Sequence, residues 1–302
     1  MRYPRMLALG ASLLVLLSAC STGGGSKAAI KIGSDGFDEA RVVAEVYAQA
    51  LEANDYTVDR AGIGLGARAV TAAAIESGEI DLKPEYLGSG LAFYAPGTQT
   101  SDSDANQANL QKALDGVGGG ITVLDYTPGQ DTNAFVVRKE TAEQYDLAKL
   151  SDLTAIQDEL KWGLATDCPT NPVCAAALKS AYGLEPKDVT LLDACSTPMA
   201  DALLNKTIDV AELCSTGPEI IVNGWVRLED DKVTQPAENI APIVRNDYLA
   251  KVDKAAFSKV LDDVSAKIDT PTLAELYKQV AVDKKDVADV AKEWLKANGF
   301  VE

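Results

Sequence analysis

Residues 29–88 read AIKIGSDGFDEARVVAEVYAQALEANDYTVDRAGIGLGARAVTAAAIESGEIDLKPEYLG, and this stretch decides the fold. Residues 29–33 form a short strand that Ser34, Asp35 and Gly36 interrupt. From Phe37 to Asn54 the apolar side chains Val42, Val43, Val46, Tyr47, Ala50 and Leu51 recur at three- and four-residue spacing, the face of one helix. Residues 56–63 form a second strand. Gly64-Leu65-Gly66 follows, then a helix over residues 67–77 that Gly78 closes. Ile80, Asp81 and Leu82 begin a third strand ending near Pro84, Glu85 and Tyr86. Strand, helix, strand, helix, strand is the βαβ pattern of a parallel sheet with helices on its faces.

Working outward, the pattern restarts in mid-chain. Strands are expected at residues 161–166, 189–193 and 208–213, with helices at 172–182 and 197–205. The chain of 302 residues therefore suits two α/β lobes. Residues 247–299 are helical without a strand and are expected to pack back on the first lobe. Strands at 133–138 and 240–245 then cross between the lobes, and residues 101–106 are a polar loop. The expected domains are 29–131 with 239–302 as lobe 1, and 132–238 as lobe 2. Ligands of open α/β sheets bind beyond the carboxyl ends of the strands. Two such lobes face each other across one cleft, where helix N-termini offer N–H groups, and two crossing segments form a hinge that closes on a ligand.

Composition narrows the chemistry. The formal charge is −17 and there is no histidine. The first fact removes general attraction to nucleic acid or anionic lipid. The second removes Ser-His-Asp and Cys-His nucleophiles and His-ligated zinc. Residues 1–19 read as a signal peptide, with Arg2 and Arg5 ahead of an apolar run too short to span a bilayer. The run ends Leu17-Ser18-Ala19-Cys20, which resembles a bacterial lipobox and marks Cys20 for lipidation. The Gly/Ser-rich linker at residues 20–28 is then a tether. Cys168, Cys174, Cys195 and Cys214 are an even set in an exported chain, which argues for disulfides. Local pairing of Cys168 with Cys174 leaves Cys195 for Cys214. No metal site and no cofactor are expected.

Several motifs carry a resemblance. Ile32-Gly33-Ser34 with Phe37-Asp38-Glu39, Ser77-Gly78-Glu79-Ile80-Asp81-Leu82 and Pro84-Glu85-Tyr86-Leu87-Gly88 come first. Gln130-Asp131-Thr132-Asn133, Cys214-Ser215-Thr216, Leu228-Glu229-Asp230-Asp231-Lys232 and Pro236-Ala237-Glu238-Asn239-Ile240 follow in order. Together they resemble the glycine betaine/choline/carnitine family of ABC-transporter substrate-binding proteins over nearly the whole mature chain. The resemblance implies a two-lobe, type II periplasmic-binding-protein fold with an interlobe ligand site. It also implies a permease and a cytoplasmic ATPase as partners. The family commonly cages a quaternary ammonium with aromatic faces, and Tyr86 stands at a matching place. Cys214 and Ala237-Glu238 stand where aromatics often occur, so glycine betaine and choline are expected to bind weakly and a larger or more polar solute better.

Candidate ligand residues follow from strand ends and crossings. Ser34, Asp35 and Phe37 either reach the ligand or cap and turn the chain. Tyr86 is expected to stack on the solute, with Ser89 beside it. Gln130 and Asp131 precede one crossing, and Glu238 and Asn239 begin the other. Ser215 and Thr216 offer hydroxyls or cap a helix. Arg68 can pair with a carboxylate. The expected function is a monomeric, lipid-anchored solute receptor of an importer on the extracytoplasmic face of the membrane. A ligand sensor and a small-acid lyase on the same fold are the alternatives, and the lack of paired carboxylates at strand ends weighs against the lyase.

Overall fold

The computed structural model describes residues 29–302. The signal peptide, Cys20 and the linker through residue 28 lie outside the described residues. Ten strands are present among those described: β1 Ile30–Asp35, β2 Val58–Gly66, β3 Leu82–Tyr86, β4 Ile121–Val123, β5 Asn133–Val137, β6 Trp162–Ala165, β7 Val189–Leu192, β8 Val210–Cys214, β9 Val226–Arg227 and β10 Ile240–Arg245. They build two five-stranded sheets, ordered β2-β1-β3-β10-β4 and β7-β6-β8-β5-β9. The first four helices are α1 Asp38–Glu52, α2 Arg68–Ser77, α3 Leu87–Tyr94 and α4 Ser103–Leu114.

Both sheets are mixed. β1 runs parallel to β2 and β3, but β10 is antiparallel to β3 and β4. In the second sheet β6 is parallel to β7 and β8, while β5 is antiparallel to β8 and β9. The strands expected to cross therefore each lie inside one sheet, β5 in the second and β10 in the first. The crossing itself is made just before each of them. There Gln130 and Asn239 pair in an antiparallel bridge, and the Asp131 N–H donates to the Glu238 carbonyl at 3.2 Å.

β2 extends through Gly64-Leu65-Gly66, the segment that follows the second strand in the sequence reading. Gly33 lies opposite Gly62, and Asp35 opposite Gly66. A Cβ on either Gly33 or Gly62 would sit 2.5 Å from the Ile80 side chain, so glycine here lets Ile80 close over the β1–β2 pair. Residues 101–106 are also not all loop. α4 begins at Ser103, where the Asp102 carboxylate accepts from the Ala105 N–H at 2.9 Å. Residues 172–182 hold one α-turn at Ala175–Ala177 and a π-turn at Leu178–Tyr182.

The first core forms where the apolar face of α1 meets the sheet and the C-terminal helices Lys254–Ser265, Thr270–Ala281 and Val287–Ala297. The buried Tyr47 hydroxyl is 2.9 Å from the Ser265 hydroxyl across that contact. Asp253, Asp269 and Asp286 cap these helices, each accepting backbone N–H groups. Arg245 at the end of β10 ties off α2, donating to the Ile75 and Glu76 carbonyls at 2.6 and 2.9 Å. The second core surrounds Trp162, which is fully buried. Disulfides join Cys168 to Cys174 after β6, and Cys195 to Cys214 at the end of β8.

Candidate functional site

The carboxyl ends of β1, β3 and β8 converge where the chain crosses between the sheets, and two groups of polar side chains gather there. The first group is an ion-pair network under lobe 1. Asp35, at the end of β1, accepts from the Thr71 hydroxyl at 2.5 Å and the Lys83 ammonium at 3.0 Å. Lys83 is fully buried and donates also to Thr71 at 2.9 Å and Glu85 at 3.1 Å. Arg68 meets Glu85 at 3.1 Å from its Nε and lies 3.9 Å from Asp35. Both positive groups are thus committed to carboxylates. Glu238 closes this group, accepting from the Ser89 N–H and hydroxyl at 3.0 and 2.9 Å. Burial pushes its carboxyl up to about 7 against the pull of those bonds and of Arg68.

The second group carries acid without base. The buried Tyr86 hydroxyl donates to Glu39 Oε1 at 2.6 Å, and the half-exposed Phe37 ring lies 5.7 Å from the Tyr86 ring. Glu39, in the first turn of α1, is only 1% exposed. Asp131 lies beside it in the crossing and accepts from the Thr216 N–H at 3.2 Å. Burial, then the Asp131 charge, raises the Glu39 carboxyl to about 8, and burial raises Asp131 as well. The buried Thr216 hydroxyl stands close enough to both carboxyls to oppose those shifts. Yet it makes no well-formed hydrogen bond, and neither does Glu39 Oε2. Glu219, in the short helix Pro218–Asn223, is raised by burial and by Asp131. Burial, then the charges of Glu39, Glu219, Asp131 and Asp38, lift the Tyr277 phenol to about 12. Among the described residues, no lysine or arginine contributes to the shift of Glu39, Asp131 or Glu219.

The remaining candidates bond backbone groups, Ser34 between β1 and β2 and the others at the crossing. The Ser34 hydroxyl donates to the Asp35 carbonyl and accepts the Gly64 N–H, both at 2.9 Å. Ser215 donates to the Gln130 carbonyl at 3.1 Å and accepts from Thr132 at 3.0 Å. The Gln130 side chain accepts the Glu238 N–H at 3.2 Å. Asn239 donates to the Thr127 carbonyl at 2.9 Å and accepts from Ser103 at 2.7 Å. A polar cavity of about 350 Å³ borders this crossing, with Gln130, Ser215, Arg227 and Thr270 in its wall. The structure thus brings Phe37, Tyr86, Asp131 and Thr216 into one cluster. It brings Asp35, Arg68, Ser89 and Glu238 into the other, and sets Ser34, Gln130, Ser215 and Asn239 to backbone work. Sequence reasoning missed Glu39, Lys83, Glu85, Glu219 and Tyr277. Glu39 and Glu85 stand inside motifs that were legible, and that was their only signal.

Two mixed α/β sheets flanked by helices and joined by a double crossing define a type II periplasmic-binding-protein fold. The chain belongs to the OpuAC family, described as the substrate-binding domain of ABC-type glycine betaine transport systems, whose pattern matches residues 28–297. It is 29% identical to the glycine betaine-binding protein YehZ of Escherichia coli, over 98% of this chain and 99% of that one. It is 26% identical to the carnitine transport binding protein OpuCC of Listeria monocytogenes, over 95% and 94% of the two chains. The solved apo structure of Escherichia coli YehZ matches with a TM-score of 0.79 at 25% identity, covering 91% of this chain and all of that one. Proteins of this family bind small solutes outside the cytoplasm and hand them to ABC permeases.

Proposed function

We infer that this chain captures a small organic cation between its lobes, and that the Glu39–Asp131 cluster receives the positive charge. One observation carries the reading. Two buried carboxyls, Glu39 bonded by the Tyr86 hydroxyl and Asp131 bonded by the Thr216 N–H, lie near each other with no basic partner among the described residues, and the rings of Phe37 and Tyr86 stand beside Glu39. Uncompensated buried acid is costly, and a ligand cation relieves that cost while the rings add cation–π attraction of about 0.5–2 kcal/mol each. The relatives named for glycine betaine and carnitine support a quaternary ammonium as that cation. Glycine betaine also brings a carboxylate; Arg68 and Lys83 are already paired with acids, and Arg227, in the cavity wall, donates to the Ser215 carbonyl at 3.4 Å. Weak glycine betaine binding is therefore retained from the sequence. The expectation for choline, which brings no carboxylate, is revised in this reading, because the rings of Phe37 and Tyr86 beside Glu39 offer aromatic faces that the positions of Cys214 and Ala237-Glu238 do not.

The helix Pro218–Asn223 packs on Thr270–Ala281, a contact between the lobes that supports reading this as the closed arrangement. Opening at the paired crossings, Gln130 with Asn239, would expose Glu39 and admit the solute. That divides the chain into the two lobes set out from the sequence, 29–131 with 239–302 and 132–238. The protein acts as a monomer without catalysis, anchored by a lipid on Cys20 and serving a permease and its ATPase.

Calorimetry with choline, carnitine and glycine betaine tests the assignment. Choline is expected to bind at least about tenfold tighter than glycine betaine, a difference of about 1.4 kcal/mol. Phe37→Ala should weaken choline by about 0.5–2 kcal/mol, with little loss of stability because Phe37 is 43% exposed. Equal or reversed affinities, or an unchanged Phe37→Ala, refute it.

A further inference from the structure

We propose that the cavity beside the crossing is a second ligand site, fitted to a small zwitterionic α-amino acid with an aliphatic side chain. The site is separate from the one proposed for the cation: Glu39, Phe37, Tyr86 and Asp131 do not line it. The Ser215–Thr216 peptide divides the two, its carbonyl bonded by Arg227 and its N–H serving Asp131. The volume of about 350 Å³ lies at the lower end of the range of about 300–1,000 Å³ for small-molecule sites. Ser101 and Thr270 of lobe 1 and Asn133, Arg227 and Glu229 of lobe 2 share the wall.

The charges of the wall suit both ends of an amino acid. The chain after β9 stays extended through Glu229, which bridges Lys149 through the backbone alone. Leu228 turns into the core at 4% exposure, so Arg227 and Glu229 emerge together on the opposite face. Neither makes an ion pair among the described residues. Arg227 is the one base in the wall, and its bond to the Ser215 carbonyl is long at 3.4 Å. Asp230, also in the wall, is spent: its carboxylate takes the Tyr182 hydroxyl, the Thr234 N–H at 2.6 Å and the Gln235 N–H at 3.0 Å. A carboxylate for Arg227 and an ammonium for Glu229 thus meet two unspent charges, whereas a simple anion or cation meets one attraction and one repulsion. The planar guanidinium matches a carboxylate through two parallel bonds. Phe135, Leu150 and Val233 supply apolar wall for the aliphatic side chain.

Calorimetry of the full mature chain with L-valine tests the site, with isovalerate and isobutylamine as the same skeleton lacking the ammonium or the carboxylate. One L-valine should bind per chain, and each half-molecule at least about tenfold more weakly, the scale of one lost charged hydrogen bond. Arg227→Gln and Glu229→Gln should each weaken L-valine by at least about tenfold. Both side chains are exposed, so these variants keep the fold, which circular dichroism checks. Glu229→Gln should also lose the preference for L-valine over isovalerate, and Phe37→Ala should leave L-valine binding unchanged. Choline should not displace L-valine, whether or not choline binds at the rings. No L-valine binding up to about 10 mM, or unchanged affinity in Arg227→Gln, overturns the second site and leaves the cation reading standing. Displacement of L-valine by choline overturns the second site by merging it with the first.

Discussion

Lys83→Met is the most direct test of the buried network beneath the site. The wild-type ammonium is fully buried and holds three oxygens, those of Asp35, Thr71 and Glu85, at 3.0, 2.9 and 3.1 Å. Methionine keeps nearly the same volume, so the cavity contribution is small and the loss is electrostatic. Asp35 and Glu85 are 4% and 0% exposed, and without Lys83 they share only Arg68, which reaches Glu85 well and Asp35 at 3.9 Å. Removing one partner of a buried pair costs about 3–5 kcal/mol. For a chain of this size that corresponds to roughly 6–20 °C in the melting temperature. Guanidinium and thermal unfolding followed by circular dichroism measure it. Lys83→Met/Glu85→Gln should recover part of the loss, since it removes one of the two stranded charges, and the double-mutant cycle isolates the coupling. A loss below about 1 kcal/mol, the scale of an exposed pair, would refute a dry network.

Reducing or replacing the disulfides gives a graded result. Closing loops of 19 and 6 residues is worth about 3 and 2 kcal/mol of chain entropy, so Cys195→Ser/Cys214→Ser should melt below Cys168→Ser/Cys174→Ser. Stability should also depend on pH through Glu238, whose folded value of about 7 lies above its unfolded value near 4.5. The folded state then binds the extra proton, and this group's contribution falls as pH rises from about 4.5 to 7 and is flat above. Urea titrations from pH 5 to 8.5 should show that decline, and Glu238→Gln should reduce its slope. Cys20→Ala should leave the membrane fraction and appear in the soluble exported fraction; retention in detergent-free washes would remove the anchor.

The alternation of residues 29–88 was legible because α1 carries apolar residues at helical spacing and the strands on either side are short and bounded by Gly, Ser and Asp. The limits have physical causes. Gly64 and Gly66 carry turn chemistry yet lie within β2, where Gly66 accepts the Gly36 N–H at 2.8 Å. Backbone proximity, which no local pattern encodes, explains them. α4 escaped notice because its buried positions, Asn106, Leu110 and Leu114, make a thin and partly polar stripe. Asn106 is buried through its donation to the Ala237 carbonyl 131 residues away. Lys83 reads as a solvated strand residue until its partners at 35, 71 and 85 assemble. Glu39 reads as an acid favoured by a helix N-terminus, and only the return of Asp131, Thr216 and Tyr277 from distant sequence turns it into a site. Tyr86 was found by motif, but its burial behind Phe37 depends on α1 and was not legible.

The place of β10 between β3 and β4 has a consequence for how the molecule is made. When the first 130 or so residues emerge, β4 has no strand neighbour, because its pairing is wholly with β10. β3 likewise shows an open edge until residues 240–245 arrive. An unpaired edge is a template for wrong association. The second sheet, by contrast, is complete once residue 227 has been made. The middle of the chain can therefore mature while its beginning waits for its end, and sequence-distant closure of this kind is slow. For an exported protein, the vulnerable interval runs from the appearance of β3 to the arrival of β10. Slow-folding variants should concentrate in the segment around Pro242 rather than in the lobe that separates the two halves of the first sheet.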